Sequence, residues 1–258
     1  MAIITLTTDW QSDDFYVGAI KGHIFSQCPG VNIVDVTHRV QSYDSAYAAF
    51  ILRGTFPHFP AGTIHLLCTN SEISEESLPM CICYKGQFFL GIDPKALKVL
   101  FNERPEKVFV LNPEKFTIST FPELTILAEA ACMLANGVPP ENFGFDNTDD
   151  FSILNIGPSR TGNILSGHVI YIDSYKNLIT DITKEQFHAF CGDRPFEIVV
   201  KNDIYKITRI SNTYNEVQAG SLLAIFNSLG LLEIAMNKAF VATLADVKPH
   251  TAVMIKIR

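Results

Sequence analysis

The chain has 258 residues, 47% of them hydrophobic, and a formal charge of −7, so it can bury one large core or two modest ones and nothing in it reads as disordered. That acidic balance, without any lysine or arginine cluster, argues against nucleic acid as a partner, because phosphate-backbone binding needs several cations to displace condensed counterions. The opening "MAIITLTTDW" has no basic start, and no later apolar run reaches the roughly 20 residues of a membrane helix, so a cytoplasmic protein without a membrane partner is expected.

In chain order, the runs "AIITLTT", "VNIVDVTH", "TIHLLCT", "MCICY", "QFFLGI" and "VFVLN" are β-rich, and helix-period stretches lie at 13–28 and 44–56. The alternation predicts an α/β N-terminal domain with a mostly parallel sheet. Residues 123–136 repeat apolar side chains at helical spacing and stop at Gly137, followed by Val-Pro-Pro. Residues 1–148 are expected to form this first domain, and 149–162 a linker within a stretch rich in Gly, Asp, Asn, Ser and Pro. From 163 to 258 short alternating runs broken by turns predict a small antiparallel β domain.

The six cysteines (Cys28, Cys68, Cys81, Cys83, Cys132 and Cys191) sit in apolar settings, as small core hydrophobes do. Cys81-x-Cys83 lacks the two-residue gap of common zinc or redox pairs and the histidines are scattered, so no metal site is expected.

Three aspartates, Asp9, Asp13 and Asp14, crowd the end of the first strand. Asp13 and Asp14 precede the apolar stripe Phe15, Ala19, Ile20 and Ile24 and read as first-turn or capping residues, where negative charge offsets the helix dipole. Asp9 lies before the cap, where open α/β sheets bind ligands, so a ligand role and a turn role both stand.

Several multi-residue motifs, in order along nearly the whole chain, take the reading further: "TTDWQSDDFYVGAIKGHI", "CPGVNIVDVTHRVQSYDSAYAAFIL", "FPHFPAGTIHLL", "GHVIYIDSYKNLITDI" and "NTYNEVQAGSLLAIFNSLGLLEIAMN". Together they resemble the S-adenosylmethionine hydroxide adenosyltransferase family, relatives of the fluorinase and chlorinase enzymes. The resemblance implies an α/β domain followed by a β-barrel, assembled as a homotrimer. S-adenosylmethionine, the substrate or ligand, would lie between one subunit's N-domain and its neighbour's C-domain, with no other cofactor. It also implies that Asp9 grips the ribose hydroxyls, that Tyr43 and Phe121 line the pocket, and that Asp173 holds the methionine ammonium. Asn177 would lie near ribose and adenine, and Ser228 near the methionine carboxylate. From the residues alone, Tyr43 is equally a surface tyrosine before a helix, Phe121 a core residue, and "DSYKN" a β-turn. Lys176 stands where the family usually has glycine, and Met236 where the fluorinase has arginine.

The water-activating trio of the family's hydroxide-adding members is replaced. Asn70 stands at the aspartate position, Ser77 at the arginine position and Pro122 at the histidine position, in "CTNSEISEESLP" and "TFPE". Neither asparagine nor proline accepts a proton, and a positioned base typically contributes about 10²–10⁴-fold. Glu72 and Glu123 are the candidates for a replacement base, with Glu75 and Glu76 beside Glu72; a solvated acidic loop is the plainer account of that run. The same glutamates disfavour a halide, since like charges repel strongly at low dielectric. Two readings of function follow: hydrolysis of S-adenosylmethionine to adenosine and methionine, or a non-catalytic S-adenosylmethionine or adenosine sensor or scaffold.

Overall fold

The chain divides into two units, Met1–Asn155 and Ile156–Arg258, each with its own hydrophobic core. A computed structural model describes residues 2–155, 157–201 and 205–258.

In the first unit the elements run β1 (Ile3–Thr8), α1 (Phe15–Gln27), β2 (Asn32–Thr37), α2 (Ser45–Thr55), β3 (Ile64–Cys68), β4 (Met80–Tyr84), β5 (Gln87–Gly91), α3 (Pro94–Leu100), β6 (Lys107–Leu111), α4 (Ala128–Ala135) and β7 (Gly144–Asp146). The sheet order is β2-β1-β3-β5-β4-β6-β7. Strands β2, β1, β3, β5 and β6 point one way, and β4 and β7 point the other. Alternation decides the two layers. Ile4, Leu6, Ile64 and Leu66 bury in the cluster that holds α1 and α4, whereas Leu67 and Phe89 bury in the cluster that holds α2 and α3.

Local chemistry sets the helix ends. Asp14 occupies the N-cap of α1, but its side chain makes no capping bond, so of the expected capping role only the position is realised. The Asp93 side chain accepts from the amides of Lys95 and Ala96, with Pro94 in the first turn of α3. Gly137, at φ +82°, ends α4 as its amide donates to Leu134 and that of Val138 donates to Met133. The helix expected over 123–136 begins as a π-helical turn, Glu123–Leu127, before becoming α4. His65, fully buried, bonds Thr5 and Gln87, and burial holds its pKa down to about 4, so it is a neutral core residue.

The second unit comprises β8 (Ser159–Thr161), β9 (Ile164–Ile172), β10 (Leu178–Thr183), α5 (Lys184–Cys191), β11 (Phe196–Val200), β12 (Tyr205–Ile207), β13 (Leu222–Phe226), β14 (Leu231–Met236), α6 (Val241–Leu244) and β15 (Ala252–Ile257). Its strands pair antiparallel in the order β12-β11-β15-β9-β10-β14-β13, with β8 on β9. A bridge between Ile210 and Ala224 brings the chain after β12 onto β13, so the sheet nearly closes into a barrel. Thr183 and Gln186 form a capping box that starts α5.

Gly167 lies where β9 crosses β10. An added methyl would meet Asp181 Oδ1 at 2.3 Å and Ile182 Cγ1 at 2.6 Å, and Asp181 cannot swing aside without losing its bond from the His168 amide. Gly167→Ala is expected to cost about 1–3 kcal/mol of stability through overpacking, read from the midpoint of a urea unfolding curve.

Candidate functional site

The first unit gathers its polar groups beyond the strand ends. Thr8 pairs with Cys68 in parallel register, so Asp9 and the loop after β3 leave the sheet side by side. The half-buried Asp9 carboxylate is faced by the backbone amides of Asn70 and of Asp9 itself. Burial raises its pKa, those amides pull it down, and Asp93 pushes it up again, leaving it above the usual carboxylate value. Asn70 adopts φ +47°, a left-handed conformation that asparagine tolerates.

Past Asn70 the loop keeps to solvent. Glu72, Glu75 and Glu76 are exposed, and Ser74 and Ser77 exchange backbone bonds of 3.2 Å in a turn of their own. Glu72 and Ser74 are not among the residues with positive φ. Glu123 is different. Only 6% exposed, it opens the π-helical turn just after the buried Pro122. Burial raises its pKa, its own amide and Ser71 lower it, and Asp9 raises it. Ser71 Oγ is buried and lies beside this carboxyl without well-formed hydrogen-bond geometry. The fully buried Cys68 thiol is pushed well up by burial, then by Glu123 and Asp9, which places all three groups in one neighbourhood. Of the two glutamates singled out in the sequence, the fold brings Glu123 to Asp9 and leaves Glu72 in water.

Aromatic side chains flank this acidic corner. Phe121 is half-buried, its ring 5.4 Å from Trp10 and 5.0 Å from Tyr16. Tyr43 is 86% exposed and holds φ +64° in the turn before α2, where Asp44 caps the Tyr47 amide. A non-glycine residue in that conformation is strained, and such strain collects at ligand clamps and switches. Asp93 went unread in the sequence. It is fully buried, caps α3 and accepts from Ser45 Oγ at 2.5 Å, tying together the starts of α2 and α3. Its signal was the pair Asp-Pro before an apolar helical run.

In the second unit Asp173 and Asn177 face each other across the turn between β9 and β10. Asp173 Oδ1 accepts the Asn177 amide at 2.8 Å and Oδ2 accepts Asn177 Nδ2 at 3.1 Å, which fixes the carboxylate plane. Lys176 keeps φ +61°, so this turn retains a left-handed position without glycine. A cleft of about 650 Å³ opens here, lined by Asp173, Tyr175, Asn177, Tyr214, Met236 and Phe240 among others. Tyr175 is 72% exposed at its edge. Tyr214 Oη donates to Glu233 at 2.7 Å, and Glu233 is buried in the middle of β14. Burial and the charge of Asp173 raise the Glu233 pKa, against Tyr214 and Asn227, which lower it. A charged residue inside "LLEIAM" was the signal for this pair. Ser228 is exposed in the β13–β14 turn and is not one of the cleft-lining residues. Among the described residues no group of three or more His, Cys, Asp or Glu is placed to hold a metal ion, and no helix is long and apolar enough to cross a membrane.

An α/β unit with carboxylates beyond its strand ends, followed by a nearly closed barrel with an acidic, aromatic cleft, defines a two-module class of small-molecule protein. Residues 4–144 match the SAM hydroxide adenosyltransferase N-terminal domain and residues 167–254 match its C-terminal domain. The chain therefore belongs to the S-adenosylmethionine hydroxide adenosyltransferase family. It is 26% identical to the (R)-S-adenosyl-L-methionine hydrolase of Methanocaldococcus jannaschii, over 90% of this chain and 88% of that one. It is 24% identical to a fluorinase from Actinoplanes, over 98% and 97%. A crystal structure of an uncharacterized conserved protein from Thermotoga maritima superposes with a TM-score of 0.86 at 25% identity, covering 99% of this chain and all of that one.

Glu123 and Asp9 carry a stability cost with a definite pH dependence. A carboxyl whose folded pKa is raised favours folding below its unfolded pKa, and that advantage is lost as pH rises through the folded value. Glu123→Gln should therefore raise the melting temperature near neutral pH, with the gain shrinking as pH falls through the carboxylate range in parallel thermal scans.

Proposed function

We propose that this protein binds S-adenosylmethionine and hydrolyses it to adenosine and methionine, with Glu123 in place of the missing water-activating trio. Burial of Glu123 beside Asp9, with its pKa raised, carries the reading. A general base works best when its pKa lies near the operating pH, and a carboxyl held up by desolvation approaches that condition.

The chemistry assigns each group one task. Ionised Asp9 accepts from both hydroxyls of a ribose diol, charge-assisted bonds of the stronger kind. Asp173 complements the methionine ammonium, and its two bonds from Asn177 hold it ready for that contact. Tyr175 and Phe240 offer aromatic faces to the purine. Water then attacks the 5′ carbon in line with the sulfur: the carbon–oxygen bond forms, the carbon–sulfur bond breaks, and the water proton passes to Glu123. Methionine leaves as a neutral thioether and needs no acid. Orientation of the two reactants supplies much of the acceleration. Asp9 and Glu123 together repel a halide from the same position. The ligand is proposed to lie where the N-terminal unit of one subunit meets the C-terminal unit of a neighbour in a homotrimer; light scattering should then return three times the chain mass of 28.7 kDa. The relatives named (R)-S-adenosyl-L-methionine hydrolase support the substrate class.

A second reading, a sensor that binds without turnover, is favoured by Asn70, Ser77 and Pro122 at the trio positions. Calorimetry with S-adenosylmethionine and adenosine, followed by chromatography of a long incubation, separates the two. Hydrolysis predicts adenosine formation that Glu123→Gln abolishes with affinity kept, whereas saturable binding without product supports the sensor. In either case Asp9→Ala and Asp173→Ala should each weaken binding by about 10- to 100-fold, the worth of a hydrogen bond to a charged group. Unchanged affinity in both variants would discard both readings.

A further inference from the structure

His38 takes part in neither reading above, yet it is bound to the residue next to Asp9. The side chain is buried just past the end of β2. Its Nδ1 lies 3.0 Å from Thr8 Oγ1, and its Nε2 lies 3.1 Å from Asp35 Oδ1, off the line of an ideal hydrogen bond. Lys21 Nζ holds the other Asp35 oxygen at 2.6 Å.

The Asp35 carboxylate orients the ring: in the neutral tautomer that puts the proton on Nε2, the nitrogen facing Asp35, Nδ1 is bare and accepts the Thr8 hydroxyl proton. The Trp10 amide also donates to Thr8 Oγ1, at 3.4 Å. The backbone repeats the link on both sides of Asp9: the Gln11 amide donates to the His38 carbonyl at 2.8 Å, and the Val40 amide donates to the Thr8 carbonyl at 3.1 Å. The turn that presents Asp9 is thus held before it at Thr8 and after it at Trp10 and Gln11, and the single ring of His38 joins that lacing to Asp35 and Lys21.

We infer that His38 is a positioning residue for Asp9, acting through Thr8 to hold the turn in which the carboxylate meets its ligand. This rests on the ligand role proposed for Asp9. Two amide substitutions separate the two ring contacts. The shorter side chain of His38→Asn places an acceptor near the Nδ1 position and keeps the Thr8 bond, whereas the longer one of His38→Gln reaches toward Asp35 and loses it.

The test compares His38→Phe, His38→Gln and His38→Asn in full-length protein, each checked for native circular dichroism. Calorimetry with adenosine should show affinity falling by about tenfold or more in His38→Phe and His38→Gln, the scale of leaving a buried hydroxyl unpaired, with His38→Asn recovering most of the loss. The carboxyl carbon resonance of Asp9 provides a readout without ligand: in His38→Gln its titration should move further above the ordinary carboxylate range, because the amides that lower it are no longer held. Equal affinity and an unmoved Asp9 titration in folded His38→Gln would overturn the inference, as would equal losses in all three variants. Should wild-type protein bind neither adenosine nor S-adenosylmethionine, the proposed function fails by itself, and the Asp9 titration still decides the role of His38.

Discussion

The protein is organised around the cost of holding carboxylates partly out of water. Desolvation is the largest influence on Asp9, Glu123 and Glu233, and it pushes all three pKa values up. The fold offsets that cost with oriented donors: amides of Asn70 and Asp9 on Asp9, the amide of Glu123 on its own carboxyl, and the Tyr214 hydroxyl on Glu233. The compensation is incomplete, since all three values stay raised. Stability held back at such groups is a common accompaniment of binding and catalysis.

The two units meet this constraint by different means. In the α/β unit, parallel strands deliver their ends to one edge, and the loops after β1 and β3 lie side by side because Thr8 is in register with Cys68. In the barrel, the β9–β10 turn folds back on itself, and Asn177 satisfies both oxygens of Asp173 from one direction. Its left-handed position is carried by Lys176 at φ +61°, so the local strain that glycine avoids is borne by the surrounding hydrogen bonds.

Membership of the family is carried by both units, through the matches over residues 4–144 and 167–254. Asn70 still directs its amide at Asp9. The glutamates that follow it are exposed, whereas Glu123 opens the π-helical turn buried beside Asp9. Such turns collect at functional sites.

Much of the architecture was legible in the residues. The apolar alternation of Ile4 and Leu6, the stop at Gly137 and the short broken runs after residue 163 each report a local period or a local turn, and such signals survive without tertiary context. Asp9 was legible as a carboxylate beyond a strand end, and Asp173 and Asn177 as a turn bearing an acid and an amide. The helices α3 and α5 were not read, although Asp93-Pro94 and the Thr183–Gln186 box mark their starts. What only the folded chain decided was proximity. Glu72 lies among serines and glutamates and Glu123 between Pro122 and Leu124, but neither setting tells which carboxyl will meet Asp9. Burial and a neighbouring charge separate them, and those depend on residues far apart in the chain converging at one edge of a sheet. The pairing of Tyr214 with Glu233, the exposure of Ser228 and the contacts of His38 arise in the same way: sequence sets local conformation, and electrostatic environment is set by what packing brings near.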